Sequence, residues 1–396
     1  MNFDTQQFQP ELLLSPLQKE RLEYRPLLPH LLENIHSLDF QEGALASCDP
    51  SLELAFAHMM RTKTLSLVSK EQPCSAHTVG VVFSGGQAAG GHNVVSGLFD
   101  ALVELHPDSK LIGFLQGPGG MVRNKTIEIT KELLANFRNQ GGFDLIGSGR
   151  TKIETKEQFR AVHKAAEEHD LDGLVVIGGD DSNTNAAFLA EFFAAVGSKT
   201  CVVGVPKTID GDLQNEAIEL SFGFDSACKT YSESIGNIAR DCLSAKKYYY
   251  FIKLMGRSAS HITLECALQT QPNLALIAEE VASRRMKLSD VVQLIVELVK
   301  ERAKHGCEYG VVLIPEGIIE FMPDVSALIV ELNRLLAHGS QTSIALERTF
   351  EPSDKISYIK NRLSEESQLV YSSLPREIQL QLLLDRDPHG NVQVSK

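Results

Sequence analysis

Apolar residues follow two regimes along the chain. Over residues 1–76 they recur at helical spacing between several prolines, as Leu13, Leu17 and Leu22 and then Leu28, Leu31 and Leu32. This pattern predicts short amphipathic helices. The stretch is expected to be an N-terminal helical extension with no catalytic constellation of its own. From about residue 77 short continuous runs of Val, Ile and Leu take over, in "HTVGVVFSGG", "KLIGFLQGPGG", "DGLVVIGG" and "CVVGVPKTID". Between them lie helical runs, among them "HNVVSGLFDALVELH", "TKEQFRAVHKAAEEH" and "SNTNAAFLAEFFAAVG". Fully apolar strands separated by helices predict an α/β fold: parallel sheets covered by helices on both faces.

A second set, "KYYYFIKLMG", "HITLECALQ", "LALIAEEV", "SDVVQLIVELVKERAKHG" and "YGVVLIPEG", again reads strand, helix, strand, helix, strand. After about residue 320 the periods are helical only, until "LLLDRDPHGNVQVSK" begins what reads as another strand. The expected organisation is an extension over 1–76, a donor-binding α/β domain over 77–245 and the start of a sugar-phosphate-binding α/β domain over 246–320. A helical insertion over 321–380 and the start of a strand over 381–396 complete it.

Charge and composition narrow the function. The net charge of −13 over 396 residues leaves no basic surplus to displace counterions, so nucleic acid is not an expected partner. No stretch approaches the roughly 18 apolar residues that span a bilayer, so no membrane partner is expected. The start, "MNFDTQQFQPELLLS", lacks the basic region of a signal peptide. Seven scattered cysteines without Cys-x-x-Cys spacing predict reduced thiols, a cytoplasmic location and no zinc site.

Candidate chemistry gathers at the carboxyl ends of the predicted strands, where parallel sheets build their active sites. In "FSGGQAAGGHN" the turn Ser84-Gly85-Gly86 offers N–H groups to a phosphate without Cβ interference. In Gly178-Gly179-Asp180-Asp181-Ser182 two carboxylates stand at the start of a helix, with Ser182 or Asn183 as its expected cap. "GVPKTIDGDL" crowds Lys207, Thr208, Asp210 and Asp212 into six positions. Asp-Gly-Asp is also ordinary turn chemistry. Several carboxylates and one lysine at neighbouring strand ends nevertheless repel one another unless a cation joins them, and a magnesium ion with phosphate oxygens is the economical partner. Arg257, after Met255 and Gly256, offers a guanidinium to a phosphate or hydroxyl, and Glu316, between Pro315 and Gly317, offers a carboxylate suited to sugar hydroxyls.

Together, Gly-Gly-Asp-x-Ser, Pro-x-Thr-Ile-Asp-x-Asp, Met-Gly-Arg and Pro-Glu-Gly, in this order over about residues 77–320, closely resemble the phosphofructokinase family. ATP-using members have Gly-Gly-Asp-Gly-Ser and Pro-Gly-Thr-Ile-Asp at the first two motifs. Asp181 and Lys207 stand here instead, a pattern similar to the pyrophosphate-dependent, long-chain branch. The resemblance implies two Rossmann-like domains and reversible transfer of a phosphoryl group from pyrophosphate to the 1-hydroxyl of fructose 6-phosphate, a step of glycolysis.

By the same resemblance Asp180 binds Mg2+, and Asp181 occupies the place of a nucleotide α-phosphate and excludes ATP. Gly85 and Lys207 contact pyrophosphate, and Asp210 is the general base. Thr208, Ile209, Met255, Gly256, Arg257 and Glu316 bind the sugar phosphate together with Asp210. Lys247 and Tyr248 reach a neighbouring subunit's site, which implies a homodimer with shared sites. The family's late Gly-Tyr-x-x-Arg-type motif is not found after "RDPHGNVQVS". The resemblance therefore carries the expectation of a chain truncated at its C-terminus. Its alternatives are an inactive or regulatory phosphofructokinase-like chain and an ATP-dependent enzyme.

Overall fold

The structure, a computed structural model, describes residues 14–45, 50–69, 74–216, 218–337, 340–347 and 351–384. The chain divides into two compact units. Met1–Thr208 and Leu213–Phe224 form the first, and Ile209–Asp212 and Asp225–Lys396 form the second.

The first unit opens with the helix Pro16–Glu23, started by a reciprocal capping box between Ser15 and Gln18. Strands β1 (Leu38–Leu45) and β2 (Lys63–Ser69) then pair antiparallel. This corrects the expectation of helices alone over 1–76. In "KTLSLVS" Leu65 and Leu67 alternate with hydroxyl residues, the period-2 signature of a strand. Leu13 lies outside the described residues.

The main sheet contains β3 (Thr78–Ser84), β4 (Lys110–Phe114), β5 (Thr126–Glu128), β6 (Ser148–Gly149), β7 (Gly173–Gly178) and β8 (Cys201–Pro206). Its order is β5-β4-β3-β7-β8, with β6 beside the end of β3. All pairs are parallel except β4 with β5, so an antiparallel edge strand joins the expected parallel sheet. "FDLIGSGR" contributes only the two residues of β6, because Gly147 before them turns at φ +65°.

The continuous apolar runs are explained by burial on both faces. Val82, Leu174 and Val176 point into one core with Val162, Ala165 and Phe193 of the helices Lys156–Glu168 and Asp180–Ala195. Val81, Phe83, Val175 and Ile177 point into the other with Val95 and Leu102 of the helix Gly91–Leu105. Alternate residues of one strand thus serve opposite layers.

The second unit holds a parallel sheet of β10 (Leu274–Ala275), β11 (Gly310–Pro315) and β9 (Tyr249–Leu254), in that order. "LALIAEEV" is a strand for two residues only, and Ala278 already begins the helix Ala278–Ser283. All of the helix Phe224–Ala245 beyond its first residue belongs to this unit, so the division falls at Phe224 and not at residue 245. Its buried residues Cys228, Ile235 and Cys242 recur every seven positions, a single stripe. Cys266 of the helix His261–Thr270 donates its thiol hydrogen to the Cys228 carbonyl at 3.7 Å.

Helices Pro323–Leu335, Gln341–Glu347, Pro352–Lys360, Glu365–Ser373 and Arg376–Leu384 follow, packed about Leu328, Leu332, Ile359 and Tyr371. Residues 381–384 close the last helix instead of starting a strand, and 385–396 lie outside the described residues. Among the described residues no helix is long and apolar enough to cross a membrane. Phe193 is 1% exposed in the core, whereas Leu17 is 75% exposed. Phe193→Ala is expected to lower the unfolding free energy by about 3–5 kcal/mol and Leu17→Ala by less than about 0.5 kcal/mol, read from the denaturant midpoint of each variant.

Candidate active site

Three strand ends of the first unit come level. The register Phe83↔Ile177 aligns β3 with β7, and Gly178↔Pro206 aligns β7 with β8. One or two residues beyond lie Gly85 and Gly86, then Gly179 and Asp180, then Lys207. Gly85 turns at φ +87°, a conformation open to glycine and strained for a side chain. Its N–H donates to the Gly149 carbonyl at 2.9 Å, and its carbonyl accepts from Ser148 Oγ at 2.8 Å. Both polar groups of Gly85 are therefore engaged within the turn. What Gly85 gives is space.

Lys207 fills the floor of this turn. It is 4% exposed, its Nζ donates to the Gly86 carbonyl, and it lies 5.8 Å from the centre of the Phe143 ring. A Cβ on Gly85 would stand 3.6 Å from that Nζ and 3.7 Å from Ser182 Oγ. The helix Asp180–Ala195 begins two residues earlier than its sequence pattern implies, with Gly179 as its N-cap. Ser182 is thereby freed from capping, and its hydroxyl donates to Ser84 Oγ at 2.8 Å inside the turn. Asn183 donates to the carbonyls of Gly178 and Gly179 at 2.7 and 2.9 Å, which fixes the approach to the helix.

Asp180 and Asp181 occupy the first helical turn, where the helix dipole favours negative charge. Both are exposed. Asp181 pairs with Lys152 at 3.6 Å, while Asp180 is in no ion pair among the described residues. Thr208 donates its N–H to the buried Ser221 Oγ at 3.0 Å, and that hydroxyl donates back to the Thr208 carbonyl.

In the second unit the segment Ile209–Asp212 turns through Gly211 at φ +72°. The charge of Asp210 reaches Tyr231 of the helix Phe224–Ala245. Burial, and then the charge of Asp210 with a further contribution from Glu316, raises the Tyr231 hydroxyl above its usual range and keeps it protonated. Asp212 Oδ1 is buried without a hydrogen-bond partner among the described residues.

The pairing Pro315↔Leu254 sets Met255-Gly256-Arg257 beside Glu316-Gly317. Glu316 donates its N–H to the Leu254 carbonyl at 2.8 Å, and Gly317 donates to the Gly256 carbonyl at 3.0 Å. Arg257 is exposed and Glu316 half-buried. Lys247 and Tyr248 are exposed at the opposite end of β9, some six residues or about 20 Å from this cluster at strand spacing.

The structure thus brings Gly85, Lys207, Asp180 and Asp181 together in one unit. In the other unit the charges of Asp210 and Glu316 both reach Tyr231, and Met255, Gly256 and Arg257 lie beside Glu316. The structure does not bring Lys247 or Tyr248 to the Met-Gly-Arg end of their own strand. Three residues were missed in the sequence. Arg150 lies directly after β6 with a guanidinium nitrogen 3.7 Å from where a Gly86 Cβ would be, and Lys152 pairs with Asp181. The rule that sites form at strand carboxyl ends reaches both. Tyr231 carries no such signal, being one residue within a long helix.

Among the described residues no group of three or more His, Cys, Asp or Glu side chains could hold a metal by itself. A magnesium ion takes only one or two carboxylates and completes its octahedron with substrate phosphates and water. An exposed carboxylate outside any ion pair, as at Asp180, fits that habit.

The chain belongs to the phosphofructokinase family: the family profile described as Phosphofructokinase matches residues 78–368. Among its relatives is the pyrophosphate–fructose 6-phosphate 1-phosphotransferase of Entamoeba histolytica, 52% identical over 388 residues, which are 96% of this chain and 70% of that protein. The protein of the same name from Treponema pallidum is 52% identical over 97% of this chain and 69% of its own length. The alpha subunit so named from Solanum tuberosum is 42% identical over 97% of this chain and 62% of its own length.

The fold is similar to that of phosphofructokinase from Saccharomyces cerevisiae, with a TM-score of 0.52 at 17% identity over 61% of this chain and 31% of that one. It is likewise similar to that of pyrophosphate-dependent phosphofructokinase from Nitrosospira multiformis, with a TM-score of 0.52 at 21% identity over 61% of each chain.

A Cβ on Gly317 would lie 1.9 Å from the Arg257 carbonyl oxygen, a backbone atom that cannot rotate away. Gly317→Ala is therefore expected to displace the Met-Gly-Arg turn at a cost of about 1–3 kcal/mol, seen as a lowered thermal midpoint. Gly97→Ala, with nothing within 4 Å of its Cβ, should not lower it.

Proposed function

We propose that the chain is a pyrophosphate-dependent phosphofructokinase that moves a phosphoryl group reversibly between pyrophosphate and the 1-hydroxyl of fructose 6-phosphate. The observation that carries this reading is the Lys207 ammonium on the floor of the Gly85–Gly86 turn. That position is a glycine in the ATP-using pattern. A fixed cation there neutralises the charge of a short inorganic donor and the charge that develops as the phosphoryl group leaves. The names of the relatives that match nearly the whole chain agree with it.

In this reading Asp181 sets the donor. Its carboxylate, paired with Lys152, stands at the mouth of the anion turn, where a nucleotide would bring an α-phosphate. Like charges in contact cost several kcal/mol, enough to refuse ATP while a diphosphate is admitted. Arg150 over Gly86 supplies a further guanidinium to the diphosphate. Asp180 would hold Mg2+, whose chemistry is to neutralise phosphate oxygens.

Asp210 accepts the proton of the 1-hydroxyl as that oxygen attacks the terminal phosphorus and the bridging P–O bond breaks, releasing orthophosphate. In a loose transition state this proton leaves late, so positioning carries much of the rate. Tyr231, held protonated, can donate a hydrogen bond to Asp210 or to the sugar. Thr208 and Ile209 border the sugar near O1, and Met255, Gly256, Arg257 and Glu316 hold the sugar phosphate.

Lys247 and Tyr248 serve the site of a second copy in a homodimer. Their place at the far end of β9 supports that reading. The free thiols of Cys74, Cys201, Cys228, Cys242, Cys266 and Cys307 suit a cytoplasmic enzyme.

The purified chain with Mg2+ and fructose 6-phosphate is expected to release orthophosphate from pyrophosphate and to show little turnover with ATP. Turnover with ATP alone would overturn the donor reading, and silence with both donors would overturn the activity. Asp210→Ala should lower kcat by about 10²- to 10⁴-fold with a modest change in KM for pyrophosphate. Asp181→Gly should lose pyrophosphate activity and gain some with ATP, and a complete absence of nucleotide gain would place the exclusion elsewhere.

A further inference from the structure

The helix His261–Thr270 begins four residues after Arg257, and its first residue does not serve its own helix. The N-cap Ser260 makes no side-chain cap bond. Its hydroxyl accepts the Ala278 N–H at 2.9 Å, and its own N–H donates to the Glu279 carboxylate at 2.9 Å. Ser260 is 2% exposed and held on both sides, so the residue after it is aimed by its surroundings. The imidazole of His261 reaches a segment fifty residues earlier in the chain, where Nδ1 lies 2.8 Å from the Gly211 carbonyl oxygen. A carbonyl only accepts, so Nδ1 carries the hydrogen and donates it. In the neutral ring Nε2 is then the bare nitrogen.

Gly211 sits between Asp210 and Asp212 at φ +72°. Glycine gives this turn its shape but also the greatest freedom to leave it. Among the described residues the buried Oδ1 atom of Asp212 has no hydrogen-bond partner. The His261 bond therefore acts on the flexible centre of the turn, one peptide from the residue read as the base.

We propose that His261 is a positioning residue for the transfer step: its Nδ1–H holds the Gly211 carbonyl and so fixes the direction of the Asp210 carboxylate. The inference rests on the reading of Asp210 as general base. The chain of support runs from Glu279 through Ser260 to His261 and on to the turn. A base displaced by about 1 Å loses on the order of 10²-fold in rate, while donor binding, which depends on the other unit's residues, is untouched.

The test compares wild type with His261→Ala and His261→Asn, because an asparagine amide can return an N–H donor near the place of Nδ1. Expected for His261→Ala is a loss in kcat of about 10- to 100-fold with KM for pyrophosphate within about twofold of wild type, and for His261→Asn recovery of most of that loss. Hydrogen–deuterium exchange of the backbone over residues 207–215, measured on the same proteins without substrate, should quicken in His261→Ala and return toward wild type in His261→Asn. A His261→Ala enzyme with wild-type kcat, or an asparagine variant no better than alanine, overturns the proposal. So does unchanged exchange over 207–215. A wild-type chain silent with pyrophosphate would sink the reading of the reaction, and the exchange comparison would still decide whether His261 holds the turn.

Discussion

Taking an ammonium group out of water costs several kcal/mol unless the protein returns what water gave. Lys207 at 4% exposure is therefore the constraint around which the turns at the ends of β3 and β8 are built. The Gly86 carbonyl accepts from its Nζ, and the Phe143 ring faces the charge. Gly85, next to Gly86, is tied through its N–H and carbonyl to Gly149 and Ser148, and Phe143 packs at 4.1 Å on Phe83 of β3. The Gly86 carbonyl and the Lys207 ammonium thus form one device though 121 positions separate Gly86 from the lysine.

The second unit solves a different problem with the same kind of sheet. Two parallel strands in register deliver two turns to one place, and both turns must fit. At β9 and β11 the fit is backbone against backbone: the Arg257 carbonyl occupies the volume in which a side chain on residue 317 would stand. Pro-Glu-Gly and Met-Gly-Arg are therefore not independent motifs. The glycine of one exists because of the carbonyl of the other, and the Glu316 carboxylate is aimed by this contact as much as by its own strand.

How much of this was readable in the sequence depended on how local the cause was. The apolar runs of β3 and β7 declared strands buried on both faces, whereas the equally apolar run of β8 lies at the sheet edge and stays largely exposed. The β1–β2 ribbon was missed because its apolar residues are sparse and mostly exposed, so helical spacing of leucines nearby outweighed them. Ser182 was taken for a cap because its type favours that role, but the helix starts at Asp180 and the hydroxyl bonds Ser84, a partner 98 residues away. Arg150, Lys152, Tyr231 and His261 share this character. Each meets a partner that only the folded chain brings near, and only Arg150 and Lys152, just after β6, stand where a strand end could have marked them.

One covalent fact joins the two units. Lys207 and Thr208 belong to the first unit and Ile209 to Asp212 belong to the second, and the peptide bond between Thr208 and Ile209 passes from one to the other. Three residues of chain extend to at most about 11 Å, so the backbone of Asp210 cannot stand farther than that from the backbone of Lys207. The two ends of this tether are held separately, by Ser221 at Thr208 and by His261 at Gly211. Under the proposed function the cation and the base are carried on one short peptide, so covalent bond lengths alone limit the backbone distance between them.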